Sequence, residues 1–386
     1  MVMLVRKAQY LAKIQTVEGT AETLAAADGK TRINVGGTFE PQAPPIKRDL
    51  ARDTLSPIGL LVGEKGGGIT VVSEMNTPDV MTGLPEQEAT LRSGGITITP
   101  LRRIPIGAIA TGPVARGATM TGTTSGATGR VVKDTVNGES HVHFAPISGT
   151  FQAEALTFTG GASATSSAVS AVYGARGNPN STYPDTITAE YQNDGFAWSV
   201  RDAMSNIAFD VEASKQGFWK MTPMGAKSTW GTKAMTTSIA FDTGNPPQLQ
   251  DASLRIGSFA PVFSKVGFDM NSKVVYRRDG NAVGNTGIKA ARINDRDPSL
   301  KITCEHELAA TFDFFGSYDA LTTYAIKFQI GTVIGKRIFF FAAAAQLANP
   351  PSLGDLDGIR GLELEFLLTS LAAIQGSDGE FEILWI

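Results

Sequence analysis

Two short stretches set metal-binding side chains side by side: His141 and His143 in HVH, and Cys304 and His306 in CEH. Along an extended strand, residues i and i+2 project to the same face, so each pair could share an ion. A structural zinc site needs four protein ligands and a catalytic one about three. The chain holds only 3 His and 1 Cys, with nothing at a recognisable spacing to complete either pair. These residues are therefore expected to be incidental, and no metal and no cofactor is expected. GEKGGG at residues 63–68 has the glycine content of a phosphate-cradling loop, but it lacks the GK-[ST] ending and a following helix. It reads as a flexible connector. Carboxylates stand two apart in Asp210 and Glu212, Glu363 and Glu365, and Glu380 and Glu382. Glycoside hydrolysis needs two carboxyls roughly 5–10 Å apart in a cleft, which spacing along a strand does not establish. No titratable groups converge, and the reading is of a protein that is not an enzyme.

The elements that must carry these residues are mostly strands. Hydrophobic residues make up 42% of the 386, charged residues only 18%, and there are 42 Gly, a balance that favours turn-rich β structure. The length suggests two domains or one core with a substantial insertion. With 34 basic against 37 acidic residues the net charge is -3, so the basic footprint of a nucleic-acid reader is missing. Cys304 alone cannot form an intramolecular disulfide and is expected to be a small buried group. The opening MVMLVRKAQYLA lacks the apolar stretch of a secretion signal. The longest apolar run, Ile338 to Ala345, falls far short of the roughly 20 residues that span a bilayer. Neither a signal nor a membrane span is expected.

Along the chain, Ala8 to Asp28 is Ala-rich with helical potential, and the prolines at 41, 44 and 45 follow it as an arm feeding a loop. Ile69 to Met75 reads as a strand. Pro85 opens EQEATLR, which Gly94 and Gly95 close, and predicts a short helix. Strands are predicted at Thr186 to Tyr191, Phe196 to Val200, Ile207 to Val211 and Phe218 to Met221, with turns at Asn193-Asp194 and Gln216-Gly217. Val266, Phe268 and Met270 alternate as in a half-buried strand, and Val274 to Tyr276 is a further short strand. The polar stretch from Arg277 to Pro298 predicts a long irregular loop. Leu308 to Phe315 predicts a helix, and Tyr324 to Ile330, Arg337 to Ala344, Leu362 to Leu367 and Phe381 to Trp385 complete the strands.

Between Thr111 and Val169 the texture shifts to Gly, Ala, Thr and Ser with almost no charge. GATMTG at 117–122 is echoed 38 residues later by ALTFTG at 155–160, and SGAT from Ser125 by SAT from Ser163. Two hairpin-like units would explain the echo; a low-complexity loop is the alternative. The expected organisation is an N-terminal arm and first part of the core at 1–112, an inserted Thr/Gly/Ala-rich β module at 113–170, and the remainder of the core at 171–386.

The order of these segments resembles the tail tube (major tail) proteins of tailed bacteriophages. AKIQTVEGTAET from Ala12, GSFAPVFSKVGFDMN from Gly257 to Asn271, EHELAATFDFFGSY, GKRIFFFAAAAQL, the turn Asp357-Gly358-Ile359 and a closing acidic-aromatic strand follow one another as in that family. The opening phrase is reduced to Glu18-Gly19-Thr20. Asp202-Ala203-Met204-Ser205 stands where the family often has a Gly-Ala-Arg-Gly-like turn.

The resemblance implies a mainly β protein, a β-sandwich or β-barrel tail-tube core with a packed short helix, long loops and the inserted small β module. It implies a subunit of the virion tail, assembled in the host cytoplasm as hexameric rings that stack into a tube. Its partners would be its own copies, other phage tail proteins, and double-stranded DNA in transit without specific binding. Strands of adjacent copies would join into one closed sheet that leaves no bare edges. A bore that lets DNA slide should avoid cationic clusters, which makes Asp210, Glu212, Glu363, Glu365, Glu380 and Glu382 candidates to line it. Arg277, Arg278, Asp279, Asn281, Arg292, Asp295 and Arg296, with the N-terminal arm, are candidates for contacts between stacked rings. A glycan-binding or receptor-binding tail component is the alternative, although Trp198, Trp219, Trp230 and Trp385 lie in strand contexts that suggest burial.

Overall fold

Alternating apolar residues write strand after strand into this chain, and in the computed structural model they join edge to edge. The structure describes every residue except 1–6, 35–36, 49–58, 78–83, 183, 242–243, 283, 285, 334, 357 and 371–377. Strand accounts for 53% and helix for 5%, so the fold is mainly β, built on a large antiparallel sheet. The turn read at Asp357 lies partly outside the described residues.

The first part supplies β1 (Ala8–Ile14), β2 (Thr38–Gln42), β3 (Pro45–Ile46), β4 (Leu61–Val62) and β5 (Gly66–Glu74), then helix α1 (Glu88–Ser93) and β6 (Ile96–Pro105). Next come β7 (Thr119–Gly122), β8 (Thr128–Val131), β9 (His141–Ser148), β10 (Ala155–Phe158) and β11 (Ser163–Thr165). The chain continues through β12 (Ala171–Pro179), β13 (Ile187–Asn193), β14 (Phe196–Glu212), β15 (Phe218–Thr232), β16 (Arg255–Ile256), β17 (Phe263–Asp269), β18 (Lys273–Arg278), β19 (Ile288–Asp295) and β20 (Ser299–Glu305). Helix α2 (Phe314–Asp319) precedes β21 (Thr323–Ile330), β22 (Ile338–Leu347), β23 (Ser352–Leu356), β24 (Ile359–Thr369) and β25 (Glu382–Trp385).

The strand β14 organises the core. Its first half pairs with β13, its second half with β17, and β15 runs along its other side. From β17 the ladder passes to β20 and β24, and then to β22, which diverges from β24 to pair with β25. The sheet thereby folds over on itself. Phe209, Phe268, Leu300 and Phe366 form one cross-strand row, with Val211, Val266, Ile302 and Leu364 in the next. Phe340 of β22 faces that surface, with its ring 5.2 Å from Phe268. Burying such side chains contributes about 1.5–3 kcal/mol each.

Several expectations are corrected. Ala8 to Asp28 is not helical: Tyr10 and Leu11 are fully buried where β1 pairs with β13, so tertiary pairing overrides the alanine preference. A single 3₁₀ turn survives at Ala26–Gly29. The glycines at 66–68 are not a connector but open β5, between β2 and β15. Their lack of Cβ is used, since one at Gly67 would meet the Phe39 ring at 2.9 Å and one at Gly66 would meet Ile288 at 2.8 Å. The stretch from Arg277 to Pro298 is no irregular loop. β18 and β19 form a two-stranded hairpin with Ile288, Ala290 and Ala291 buried, so its polar composition marks only the outer face. The second helix begins at Phe314, later than predicted, because Asp313 caps it by accepting from the Gly316 amide at 2.9 Å. The strands read at 196–200 and 207–211 are one, bent where Asp202 adopts φ 50 and the register shifts.

Helix α1 forms where the proline and glycines placed it. The Tyr10 hydroxyl meets Thr90 at 3.0 Å, and Ser93 meets Ser205 of β14 at 2.8 Å. The two echoed phrases of the Thr/Gly/Ala stretch are paired strands. Met120 of β7 lies opposite Phe158 of β10, and Thr121 opposite Thr157. Each then turns back as a hairpin, β7 to β8 and β10 to β11. With β9, which pairs with β8, these strands enclose a second apolar cluster that includes Phe144, Phe151, Leu156 and Val114. The stretch joins the main sheet through β9, which pairs with β6 from Arg102 opposite Phe144 to Pro105 opposite His141, and where Ile106 bridges Ser166.

Candidate functional site

Strand register brings four of the six candidate acids onto one face. Asp210 lies opposite Gly267, which pairs with Lys301, which pairs with Glu365. One step along, Glu212, Lys265, Thr303 and Glu363 make the adjacent row. These rows stand back to back with the buried Phe209 and Val211 rows, so alternation alone places them outside. Gly267 leaves space that Asp210 uses, for a Cβ there would sit 2.6 Å from Oδ1. Lys301 Nζ reaches Glu365 Oε1 at 3.2 Å and Lys265 Nζ reaches Asp210 Oδ1 at 3.6 Å. Lys215 binds Glu212 at 2.5 Å and holds its carboxyl below the usual range. Within the rows, four carboxylates against two lysines leave an excess of two negative charges. The two lysines are features that the reading of acids alone missed, although both stand in sequence at the same alternation.

Glu380 and Glu382 do not share that face. Glu380 is taken by Arg296, whose Nη2 donates at 2.9 Å to Glu380 and at 2.7 Å to Asp378. Glu382 is buried, 4% exposed, between Arg116 Nη2 and Arg176 Nε. The reason is packing: between β12 and β22, the Ile383 and Trp385 face of β25 lies on the main core, while its Glu382 and Leu384 face is covered by Arg116 and Val132 of the 113–170 stretch. This removes Glu382 as a candidate for a solvent-facing wall. It becomes instead the anchor of the seam between residues 113–170 and the main sheet, which Lys327 and Asp134 also bridge at 3.0 Å. The Arg116 guanidinium lies 3.5 Å over the Phe341 ring. No sequence spacing signals this cluster, because its members come from separate strands.

The candidates for contacts between rings lie on the β18–β19 hairpin and just after it, and their charges are already engaged. Arg277 and Arg292 pair with Glu18 of the N-terminal arm at 3.7 and 3.1 Å. Arg278 grips Glu64 through Nε at 2.7 Å and Nη2 at 3.1 Å, which lowers the Glu64 pKa. Asp279 and Asp295 accept from the Asn281 and Arg296 amides. The arm is held as well: the Gly19 amide donates to Asp202 Oδ1 at 2.7 Å, and the Asp202 amide donates to Gln15 Oε1 at 2.5 Å. The Glu18-Gly19 phrase and the Asp202 turn are thus in direct contact.

The two pairs of possible metal ligands gain no further ligand among the described residues. Cys304 faces the core, and burial with the charges of Glu307 and Glu305 pushes its thiol up to about 12, which makes it inert. His306 lies beyond the end of β20, where its amide donates to the Arg360 carbonyl. His141 contacts Ser140 at 2.8 Å, while His143 is buried, and burial with Lys133, Arg337 and Arg103 pushes its imidazole down to about 3. Among the described residues no group of three or more His, Cys, Asp or Glu is arranged to hold a metal ion. No helix among them is long and apolar enough to cross a membrane. Trp219 and Trp385 are fully buried, whereas Trp198 and Trp230 are half-buried. Phe39 stacks on Trp198 at 5.1 Å and meets Trp230 edge-on, so these rings are occupied with one another.

No family model matches this chain, and no curated protein matches it.

Proposed function

We propose that this protein is a structural subunit of a bacteriophage tail tube, assembling into hexameric rings that stack as the conduit for genome delivery. In this reading it carries no catalysis, works in the virion tail after assembly in the host cytoplasm, and joins other tail proteins at the ends of the tube. The observation that carries the reading is the pair of polar rows across β14, β17, β20 and β24, backed by a sealed aromatic core. Acids outnumber lysines there and each lysine has a carboxylate neighbour. A DNA backbone at these rows would therefore meet lysines that already have carboxylate neighbours. The sheet margins support the same reading. Among the described residues β1 pairs only with β13, β2 only with β5 and β23 only with β24. Each leaves one row of backbone donors and acceptors for a neighbouring copy to complete. Mass photometry of the purified chain tests the proposal, with six-subunit species expected and monomers at every concentration counting against it.

A further inference from the structure

At the seam between residues 113–170 and the main sheet lies a cleft of about 260 Å³ whose charges do not balance. Glu382 accepts from both Arg116 and Arg176, and a third guanidinium, Arg130 of β8, lines the same cleft. Arg130 is exposed and has no hydrogen bond or ion pair among the described residues; its Nη2 stands over the backbone of Gly117. Asp378 borders the cleft but is held by Arg296 at 2.7 Å and by the Ser181 amide at 2.8 Å. The lining therefore sets three guanidiniums against two carboxylates, and Arg296, which holds Asp378, is shared with Glu380, so one positive charge is in excess in a partly desolvated space. The strain shows on Arg116, where burial and then the charges of Arg176 and Arg130 push its pKa down to about 10, and whose Nε is buried without a partner.

Like charges gathered this way are stabilised by an anion, and guanidinium forks match tetrahedral oxyanions through paired N–H donors. A carboxylate offers two oxygens in one plane, whereas a phosphate group offers three strong acceptor oxygens, enough to meet donors from all three guanidiniums. We propose that this cleft is a binding site for a phosphate group, free or as a monoester, received by Arg130 with Arg116 and Arg176 behind it. The site does not depend on the tail-tube reading, since it lies within one copy of the chain.

Isothermal titration of the full chain at constant ionic strength, with inorganic phosphate, glycerol phosphate and acetate in separate arms, tests the proposal. Saturable phosphate binding with a dissociation constant below about 1 mM is expected, with acetate much weaker. Arg130→Gln, at an exposed position whose loss leaves the fold intact, is expected to weaken binding about tenfold or more. Glycerol phosphate binding as well as inorganic phosphate assigns a phosphomonoester, and inorganic phosphate alone assigns the free ion. No saturable binding in either phosphate arm, acetate binding equally well, or an Arg130→Gln variant that binds unchanged would each overturn it.

Discussion

Removing the Glu382 carboxylate would leave two guanidiniums facing each other across a buried gap. Because Arg116 and Arg176 keep 28% and 30% of their side chains exposed, water recovers part of that cost. Glu382→Ala is expected to destabilise the protein by about 2–3 kcal/mol in urea unfolding; a loss below about 0.5 kcal/mol would show that the seam is not anchored there. His143 supplies a second residue-scale test. It is neutral in the fold, with its pKa pushed down to about 3, against 6.5 for an unperturbed imidazole. Between those values the unfolded chain binds the extra proton, so stability is lost as pH falls through that window. From about pH 7.5 to pH 5 the loss is expected to be about 2 kcal/mol, absent in His143→Phe. An identical pH slope in both proteins would contradict the assignment. Residue alternation made the outward set of Asp210, Glu212, Glu363 and Glu365 legible in the sequence. The burial of Glu382 was not legible, because it depends on the 113–170 stretch packing across that face of β25.

At the scale of elements, the strands with a clean two-residue alternation were readable and those settled by distant partners were not. Val266, Phe268 and Met270 announced their strand because one face had to be buried. β1 and the Gly66–Gly68 start of β5 were hidden, since their extended form comes from pairing with residues more than a hundred positions away. The β18–β19 hairpin was obscured by its charged outer face and by partners on the arm. The Thr/Gly/Ala stretch offers the sharpest element-scale prediction, because its apolar cluster is separate from the main one. Phe144 and Phe151 pack edge to face at 5.0 Å within it. Phe151→Ala is expected to cost about 3–5 kcal/mol and, in hydrogen exchange, to raise exchange across 104–164 while leaving β14, β17 and β20 protected. Uniform loss of protection would show that the two clusters unfold as one.

Over the whole molecule, the net charge of -3 and the strands paired on one side only are the features on which the proposed self-assembly and passage of a polyanion rest. Assembled tubes are expected to retain no duplex DNA at low salt. Glu363→Lys with Glu365→Lys places these lysines beside Lys301 and should make tubes retain DNA in a salt-dependent way. Equal retention by both would remove the polar rows from any role in passage. Closure of neighbouring sheets into a ring is tested most directly by negative-stain electron microscopy of the purified chain under assembly conditions. Six-fold annuli that stack into hollow tubes are expected; fields of dispersed single particles, with neither annuli nor tubes at any concentration, would contradict it.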